Sequence, residues 1–329
     1  MIEDKPAGRV IVVGSYVHDH VWSLDRFLNP GETRRALGFA AGPGGKGFNQ
    51  AVACARQGAR TLFMGALGDD PLGQAARAFA HSEGLDCRWF TCGEMPTAAA
   101  GIIVDASGAN QIVVSLAANE RLAVDFLLAQ ASAFENVAVL LVQLENNLDA
   151  VRGALALATA HGLLRVLNPA PMHDELDATL LAACDIVTPN ETEFAQLLGL
   201  LAGVDIAADR VAALADAELH RLCRLIDVPS VVVTLGAVGC FVSHRAEALR
   251  GDSDPFYRVA AERVRTVDST GAGDAFNGAL AAMLARADET PFAACVRQAN
   301  RCAAMSTEKP GAAPAMPRLD EVIARFAAR

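Results

Sequence analysis

The sequence predicts an α/β protein whose main sheet is largely parallel and covered by helices, with a smaller β-sheet placed over it as a lid. Three observations carry this. Val10-Ile11-Val12-Val13 is too short for a helix, rich in β-branched residues and ends in Gly14-Ser15, as a buried parallel strand does. From residue 137 onward, strand-length apolar runs alternate with helical patterns, which is how a chain builds a parallel sheet with helical crossovers. Residues 22–39 and 97–116 are strand-like without helical periodicity, so they belong to something other than the main sheet.

With 329 residues the chain can bury a large core unaided. Lys and Arg number 28 against 38 Asp and Glu, a formal charge of -10 that argues against a broad electrostatic footprint for nucleic acid. The eight cysteines contain no C-x-x-C pair, so they read as small core hydrophobes of a reducing compartment rather than a zinc site or disulfide framework. Residues 1–8 are short and polar, with no secretory signal, and no apolar run is long enough to span a membrane. A cytoplasmic enzyme with no membrane or nucleic-acid partner is the expectation.

After the first strand, Tyr16-Val17-His18-Asp19-His20 places an acid and two imidazoles just beyond a strand end, where open α/β sheets bind ligands. One acid beside H-x-H, with no further ligand cluster, reads as a polar loop and not a metal site. The stretch 22–39 contains Pro30-Gly31 between short strands. Gly42-Pro43-Gly44-Gly45-Lys46-Gly47-Phe48-Asn49-Gln50 then leads into a helix on which Phe48, Val52 and Ala55 share a face, closing at Gly58. A P-loop fails here because Ala40 and Gly47 stand where glycine and a hydroxyl residue are required. The dinucleotide fingerprint matches Gly42, Gly44 and Gly47, but the opening strand it needs has already ended at Gly14. The loop reads instead as backbone close to a ligand, with Lys46 and Asn49 as donors. A second strand-rich stretch turns at Ala106-Ser107-Gly108 and reads as a hairpin.

In the second half, strands are expected at 137–144, 163–167, 185–188 and 231–236, with a helix at 148–161 and another running through Leu198. Glu145, Asn168-Pro169-Ala170 and Pro189-Asn190-Glu191-Thr192-Glu193 follow strand ends. Asn190 with Glu193 reads equally as half of a capping box or as an acidic site for Mg²⁺ through waters. Shorter strands at 239–242 and 258–266 precede Val267-Asp268-Ser269-Thr270-Gly271-Ala272-Gly273-Asp274. From Asp274 the apolar spacing becomes helical, with Phe276, Leu280, Met283 and Leu284 on one face. A glycine turn feeding a helix start offers unpaired N–H groups and partial positive charge to phosphate oxygens, and Asp274 stands where it can accept a proton from an attacking hydroxyl. The alternative is an ordinary turn with Asp274 as its cap. A helix at 293–307 carries Asn300, and residues 309–314 form a loop.

In their order, G-S-x-x-x-D, G-G-K-G-x-N, Gln143-Leu144-Glu145, Asn168-Pro169-Ala170, Thr188-Pro189-Asn190-Glu191-Thr192-Glu193, Thr234-Leu235-Gly236 and D-x-x-G-A-G-D resemble the ribokinase, or pfkB carbohydrate kinase, family over nearly the whole chain. The resemblance implies a Rossmann-like three-layer core at 1–14, 43–96 and 118–329 and a β lid at 15–42 and 97–117. It implies transfer of the ATP γ-phosphoryl group to a sugar or nucleoside hydroxyl. By it, Asp274 is the catalytic base and the N–H groups of Gly271, Ala272 and Gly273 form the anion hole. Asp19, Gly45, Lys46, Asn49 and Glu145 hold sugar hydroxyls; Asn190, Thr234, Gly236 and Asn300 lie along the nucleotide. Glu193 organises Mg²⁺, and Asp268 and Thr270, with backbone near Ser306 and Gly311, match a K⁺ region. A homodimer through the lid is expected, since exposed lid edges need covering.

Three acceptor-side departures stand out. Val17 occupies the position where ribokinases commonly carry Asn, Phe48 the position commonly Ala, and Ala117-Ala118-Asn119 replaces a G-A-N segment. Ribose is therefore less well supported as acceptor than phosphoryl transfer is as reaction. A nucleoside kinase is the alternative, with Phe48 and Tyr16 as residues that stack on a base. A non-catalytic binding relative would have lost the base, the glycines or the Mg²⁺ residues, and none is lost.

Overall fold

The computed structural model describes residues 8–286 and 290–326, so all but Gly8 of the polar N-terminal stretch lies outside the described residues. The strands are β1 (Arg9–Val13), β2 (Val17–Ser23), β3 (Gly38–Gly44), β4 (Arg60–Gly68), β5 (Asp86–Cys92), β6 (Ala99–Val104), β7 (Asn110–Ser115), β8 (Val139–Val142), β9 (Leu164–Leu167), β10 (Ile186–Val187), β11 (Ser230–Thr234), β12 (Gly239–His244) and β13 (Phe256–Ala260). Nine of them form one sheet in the order β13-β12-β11-β10-β9-β8-β1-β4-β5, and the other four a sheet in the order β3-β2-β6-β7. From β11 to β5 every neighbour is parallel, and β12 and β13 add an antiparallel edge.

Strand alternation explains the layers. Val10 and Val12 of β1 pack on one side, against helices Lys46–Arg56, Ala272–Leu284 and Phe292–Ser306. Ile11 and Val13 pack on the other, against Leu148–Ala160 and Glu191–Ala202. Both faces are thus buried, which is why the strands read as continuous apolar runs. No helix among the described residues is long and apolar enough to cross a membrane.

Several boundaries move. Val17 to His20, expected as a loop, is the first half of β2, because it pairs with β3 on one side and β6 on the other. The fingerprint glycines Gly42 and Gly44 do end a strand that leads into a helix, but that strand is β3 of the small antiparallel sheet and not a strand of the parallel one. Strand β13 ends at Ala260, well short of the expected residue 266. The sequence reading passed over β4, helix Pro71–Ser82 and β5, which form a further parallel unit on the β1 edge.

In the smaller sheet, alternation puts Val17, Asp19 and Val21 on one face and His18, His20 and Trp22 on the other. Val17 packs with Ala98, Ala100 and Ile102 in a small apolar cluster of its own. On the opposite face His20 stacks with Trp22 and Phe39, and Phe39 is 59% exposed.

Candidate active site

Because β1, β8, β9, β10 and β11 are parallel, the segments after them all emerge at one edge of the sheet. These carry Gly14–Tyr16, Gln143–Asn146, Asn168, Thr188–Glu193 and Leu235–Gly236, and the helix start at Gly271–Asp274 joins them. This is the edge at which open α/β sheets take ligands.

On one side of this edge lie the residues expected to hold the acceptor. Asp19 sits directly over Gly44, where an added Cβ would fall 2.0 Å from its Oδ2, so the glycine makes room for the carboxylate. Gly45 has φ +87°, a conformation that favours glycine, and turns β3 into helix Lys46–Arg56. Glu145 Oε2 accepts from Ser15 Oγ at 2.5 Å and from Lys46 N–H at 2.9 Å. Burial, then the charges of Glu145 and Asp274, push the Asp19 carboxyl up to about 7, so the three carboxylates share one neighbourhood.

On the other side, helix Ala272–Leu284 starts after Gly271 at φ +76°. Ala272 N–H donates to Ser269 O at 3.2 Å and Ala275 N–H to Gly271 O at 2.8 Å, so of the three expected anion-hole donors Ala272 is the one already engaged. An added Cβ at Gly273 would meet nothing within 4 Å, which leaves that backbone open to a ligand. Asp274 is 7% exposed, and each of its oxygens has one donor: Asn49 Nδ2 donates to Oδ2 at 3.0 Å and Gln50 Nε2 to Oδ1 at 2.9 Å. Burial raises its carboxyl, and Lys46, Gln50 and Asn49 pull the other way. Burial lowers the Lys46 ammonium, but Asp274, Glu145 and Glu193 outweigh it, so the net shift is upward and Lys46 stays charged. A cavity of about 180 Å³ is bounded by Lys46, Glu193, Asp274, Thr234 and Gly271 to Gly273.

The nucleotide-side candidates divide. Thr234 borders this cavity, and beside Gly236 at φ +51° an added Cβ would meet nothing within 4 Å. Asn190 and Glu193 form the complete capping box: Glu193 Oε2 accepts from Asn190 N–H at 2.9 Å, Oε1 from Asn190 Nδ2 at 3.0 Å, and Glu193 N–H donates to Asn190 Oδ1 at 2.9 Å. Glu193 still faces the cavity, and burial raises its carboxyl. Asn300 lies behind the site, its Nδ2 donating to Val259 O at 3.2 Å and so tying helix Phe292–Ser306 to β13. Asp268 accepts from Thr270 N–H and Gly311 N–H, both at 2.9 Å, gathering the two loop segments expected around K⁺. The Ser306 hydroxyl donates to Ala303 O at 2.8 Å within its own helix.

The acceptor-side departures also resolve. Tyr16 and Phe48 are both 0% exposed and pack edge-on to each other at 5.2 Å, with Trp89 and Phe63 around them. Neither is free to stack on a nucleobase. Asn119 grips the backbone of Tyr16, donating to its carbonyl at 2.9 Å and accepting from its N–H at 3.3 Å. The sequence reading missed the roles of Gln50, Gln143, Asn168, Thr188 and Asn277, which surround Asp274. Three of these lie within the resemblance motifs, but nothing in their spacing says that they touch.

The chain matches the family described as pfkB family carbohydrate kinase over residues 7–319. It is 35% identical over 315 residues to a ribokinase of Haemophilus influenzae, covering 95% of this chain and 96% of that protein. A deoxyribokinase of Salmonella typhi is 30% identical over 316 residues, with 95% and 96% covered. Among solved structures, an Arabidopsis thaliana ribokinase complexed with ribose and ATP superposes with a TM-score of 0.80 at 26% identity, over 97% of this chain and 98% of that one. The chain therefore belongs to the pfkB carbohydrate kinase family and is an ATP-dependent sugar kinase.

Proposed function

We propose that this kinase transfers the γ-phosphoryl group of ATP to a hydroxyl of a pentose or related small sugar, with Asp274 as the base. The observation that carries the reading is the position of that one carboxylate. It is buried at a helix start on the wall of the cavity, and it is held by two neighbouring amides of the helix Lys46–Arg56, which follows the loop that carries Gly45. An acceptor hydroxyl lying between Asp19 and Asp274 would give its proton to Asp274 as its oxygen attacks phosphorus. Gly271 and Gly273 N–H, with the helix dipole and Lys46, would steady the charge on the phosphoryl oxygens. A weak base suffices, because in a loose transition state proton transfer comes late.

Asp19, Gly45, Lys46, Asn49 and Glu145 are the hydroxyl-binding set, with Lys46 also bordering the phosphoryl cavity. Asn49 Oδ1 is buried with no hydrogen-bond partner among the described residues, an acceptor suited to a sugar hydroxyl. Thr234, Gly236, Asn190 and Asn300 are assigned to the nucleotide side. No three metal-binding side chains among the described residues lie close enough to hold an ion, so Mg²⁺ fits as a companion of the nucleotide phosphates, with Glu193 holding its waters. Bound there, Mg²⁺ supplies charge neutralisation at the phosphates. K⁺ is assigned to the oxygens around Asp268, Thr270, Ser306 and Gly311.

Val17 sets the expectation for the acceptor. Its side chain is 2% exposed, on the same face as Asp19, in an all-apolar cluster. A substrate hydroxyl facing it would lose a partner at about 1–3 kcal/mol, roughly tenfold to hundredfold in specificity constant. A sugar that is apolar or lacks a hydroxyl there is preferred, and the likeness to a deoxyribokinase agrees with this. Pairing of two copies through the lid would cover its exposed apolar residues, among them Phe39 and Val113. The deciding experiment measures ATP consumption across pentoses, deoxypentoses, hexoses and nucleosides for wild type and Val17→Asn. Ribose already optimal in wild type and unimproved by Asn would overturn the acceptor proposal. No consumption with any sugar would overturn the reading itself.

A further inference from the structure

The side chains behind Asp274 form a directed chain of hydrogen bonds. Gln143 Nε2 donates to Gln50 Oε1 at 2.6 Å. With its oxygen so fixed, Gln50 must turn its NH₂ group the other way, where one hydrogen meets Asp274 Oδ1 at 2.9 Å and the other Asn168 Oδ1 at 3.0 Å. Asn168 Nδ2 donates in turn to Thr188 O at 3.1 Å, and the Thr188 hydroxyl donates to Asn277 Oδ1 at 2.5 Å. Asn277 Nδ2 donates to Gly273 O at 2.8 Å, which is the carbonyl of the peptide that carries Asp274. The chain therefore closes into a ring. It begins on the Asp274 side chain and ends on the Asp274 backbone, passing through the ends of β9 and β10 on the way.

Gln50, Gln143, Thr188 and Asn277 are each 1% exposed or less, and Asn168 is 7% exposed. The two helices that carry Gln50 and Asp274 also approach closely beside the ring. Gly278, one helical turn after Asp274, faces helix Lys46–Arg56 so closely that an added Cβ would fall 2.4 Å from Gln50 O.

We propose that Gln50 is a positioning residue for phosphoryl transfer, fixing the direction in which Asp274 faces the acceptor and coupling it, through the ring, to the backbone that binds the transferred group. The proposal rests on the reading of Asp274 as base. The amide does three things at once. It occupies Oδ1 and leaves the Oδ2 side, shared with Asn49, toward the acceptor. It cannot flip, because reversing it would set Gln50 Oε1 against the carboxylate and the Gln50 NH₂ group against the Gln143 NH₂ group. It also offers only donors to Asp274, which favours the charged form that accepts a proton.

The test compares Gln50→Leu, Gln143→Met and Asp274→Asn in steady-state kinetics over a pH series, with melting temperatures. Gln143→Met spares the Gln50 donor and removes only what orients it, so it serves if Gln50→Leu fails to fold. Gln50→Leu is expected to lower kcat about 10–100-fold, with KM for ATP within about threefold, and to move the acid limb of the kcat profile up by about one pH unit. Gln143→Met is expected to lower kcat about threefold to tenfold and to shift the limb in the same direction. An unchanged kcat and acid limb in a folded Gln50 or Gln143 variant, with only the melting temperature reduced, would overturn the proposal. Near-wild-type turnover in Asp274→Asn would remove the base reading and the proposal with it, whereas an inactive Asp274→Asn beside a fully active Gln50→Leu would remove the proposal alone.

Discussion

Two buried polar networks occupy opposite ends of the same sheet, and only one has the makings of a site. At the far end, Ser230 Oγ meets His244 Nδ1 at 2.8 Å, His244 Nε2 meets Asp252 Oδ2 at 3.3 Å, and Tyr257 Oη donates to the same carboxylate. The other Asp252 oxygen accepts from Ala293 N–H at 2.9 Å and so caps helix Phe292–Ser306 from outside. Residue types alone suggest a hydrolytic triad. Yet the His244 and Asp252 side chains are 0% and 4% exposed, so no substrate can reach them. At the Asp274 end, by contrast, lie all of the buried side-chain atoms without a partner among the described residues: Asn49 Oδ1, Gln143 Oε1 and both amide atoms of Asn146. A satisfied network holds the fold together, while one with bonds left to make is built around something else.

The comparison breaks if the two ends respond alike. Asp274→Asn is expected to lower kcat by about 10²–10⁴-fold while leaving thermal stability nearly unchanged, since the amide keeps the shape but not the basicity. Turnover within tenfold of wild type would end the distinction. Asp252→Ala should do the reverse, costing about 3 kcal/mol in urea unfolding because His244, Tyr257 and the helix start lose their partner, with KM values unmoved in the folded fraction. A change in sugar KM larger than the change in stability would place Asp252 in the site's circuit.

Acidity sharpens the contrast further. With its carboxyl near 7, Asp19 is charged above that pH and protonated below it, so kcat/KM for the sugar should fall about tenfold per unit below about 7 while KM for ATP holds. Its raised value also means that the folded state keeps this proton more firmly than the unfolded chain, so that its contribution to stability is lost as pH rises toward about 7. An acid limb that survives in Asp19→Asn would assign it to another group. His244 works the other way. Burial depresses its imidazole, with Arg250 and Arg224 adding to this and Asp252 opposing it, and Tyr257 packs alongside. The unfolded chain takes up a proton below 6.5 that the folded protein resists, so stability should fall as pH drops from 6.5 toward the depressed value. The expected loss is about 1 kcal/mol between pH 7.5 and 5.5, read from urea midpoints and absent in His244→Gln. An equal pH slope in the variant would locate the effect elsewhere.

Much of the molecule is legible in its sequence. The run from Val10 to Val13 had to be a buried strand, because four β-branched residues ending in glycine fit little else, and alternation then sends Val10 and Val12 to one core and Ile11 and Val13 to the other. Gly271 to Asp274 could be read as a helix start with an acid at its mouth, because capping and dipole effects act within one turn. At Glu193 the capping contacts are local and legible in the sequence, whereas its place on the cavity wall is not. Local chemistry leaves its mark on neighbouring letters.

What only the tertiary structure decided is what distant letters do together. Tyr16 and Phe48, aromatic residues beside a ligand loop, read as base-stacking candidates until the packing of Trp89 and Phe63 shows them sealed in the core. Polar pairing on both sides turned residues 17–20 from a loop into a strand. Gln50 and Asp274 are 224 positions apart, and Gln143 and Asn168 come from two further strand ends. Sequence fixes a residue's own chemistry and its reach along one turn or strand. Which amide holds the Asp274 carboxylate depends on how closely two helices pack, and the missing side chain of Gly278 permits that approach, a single glycine whose neighbour across the interface no local pattern names.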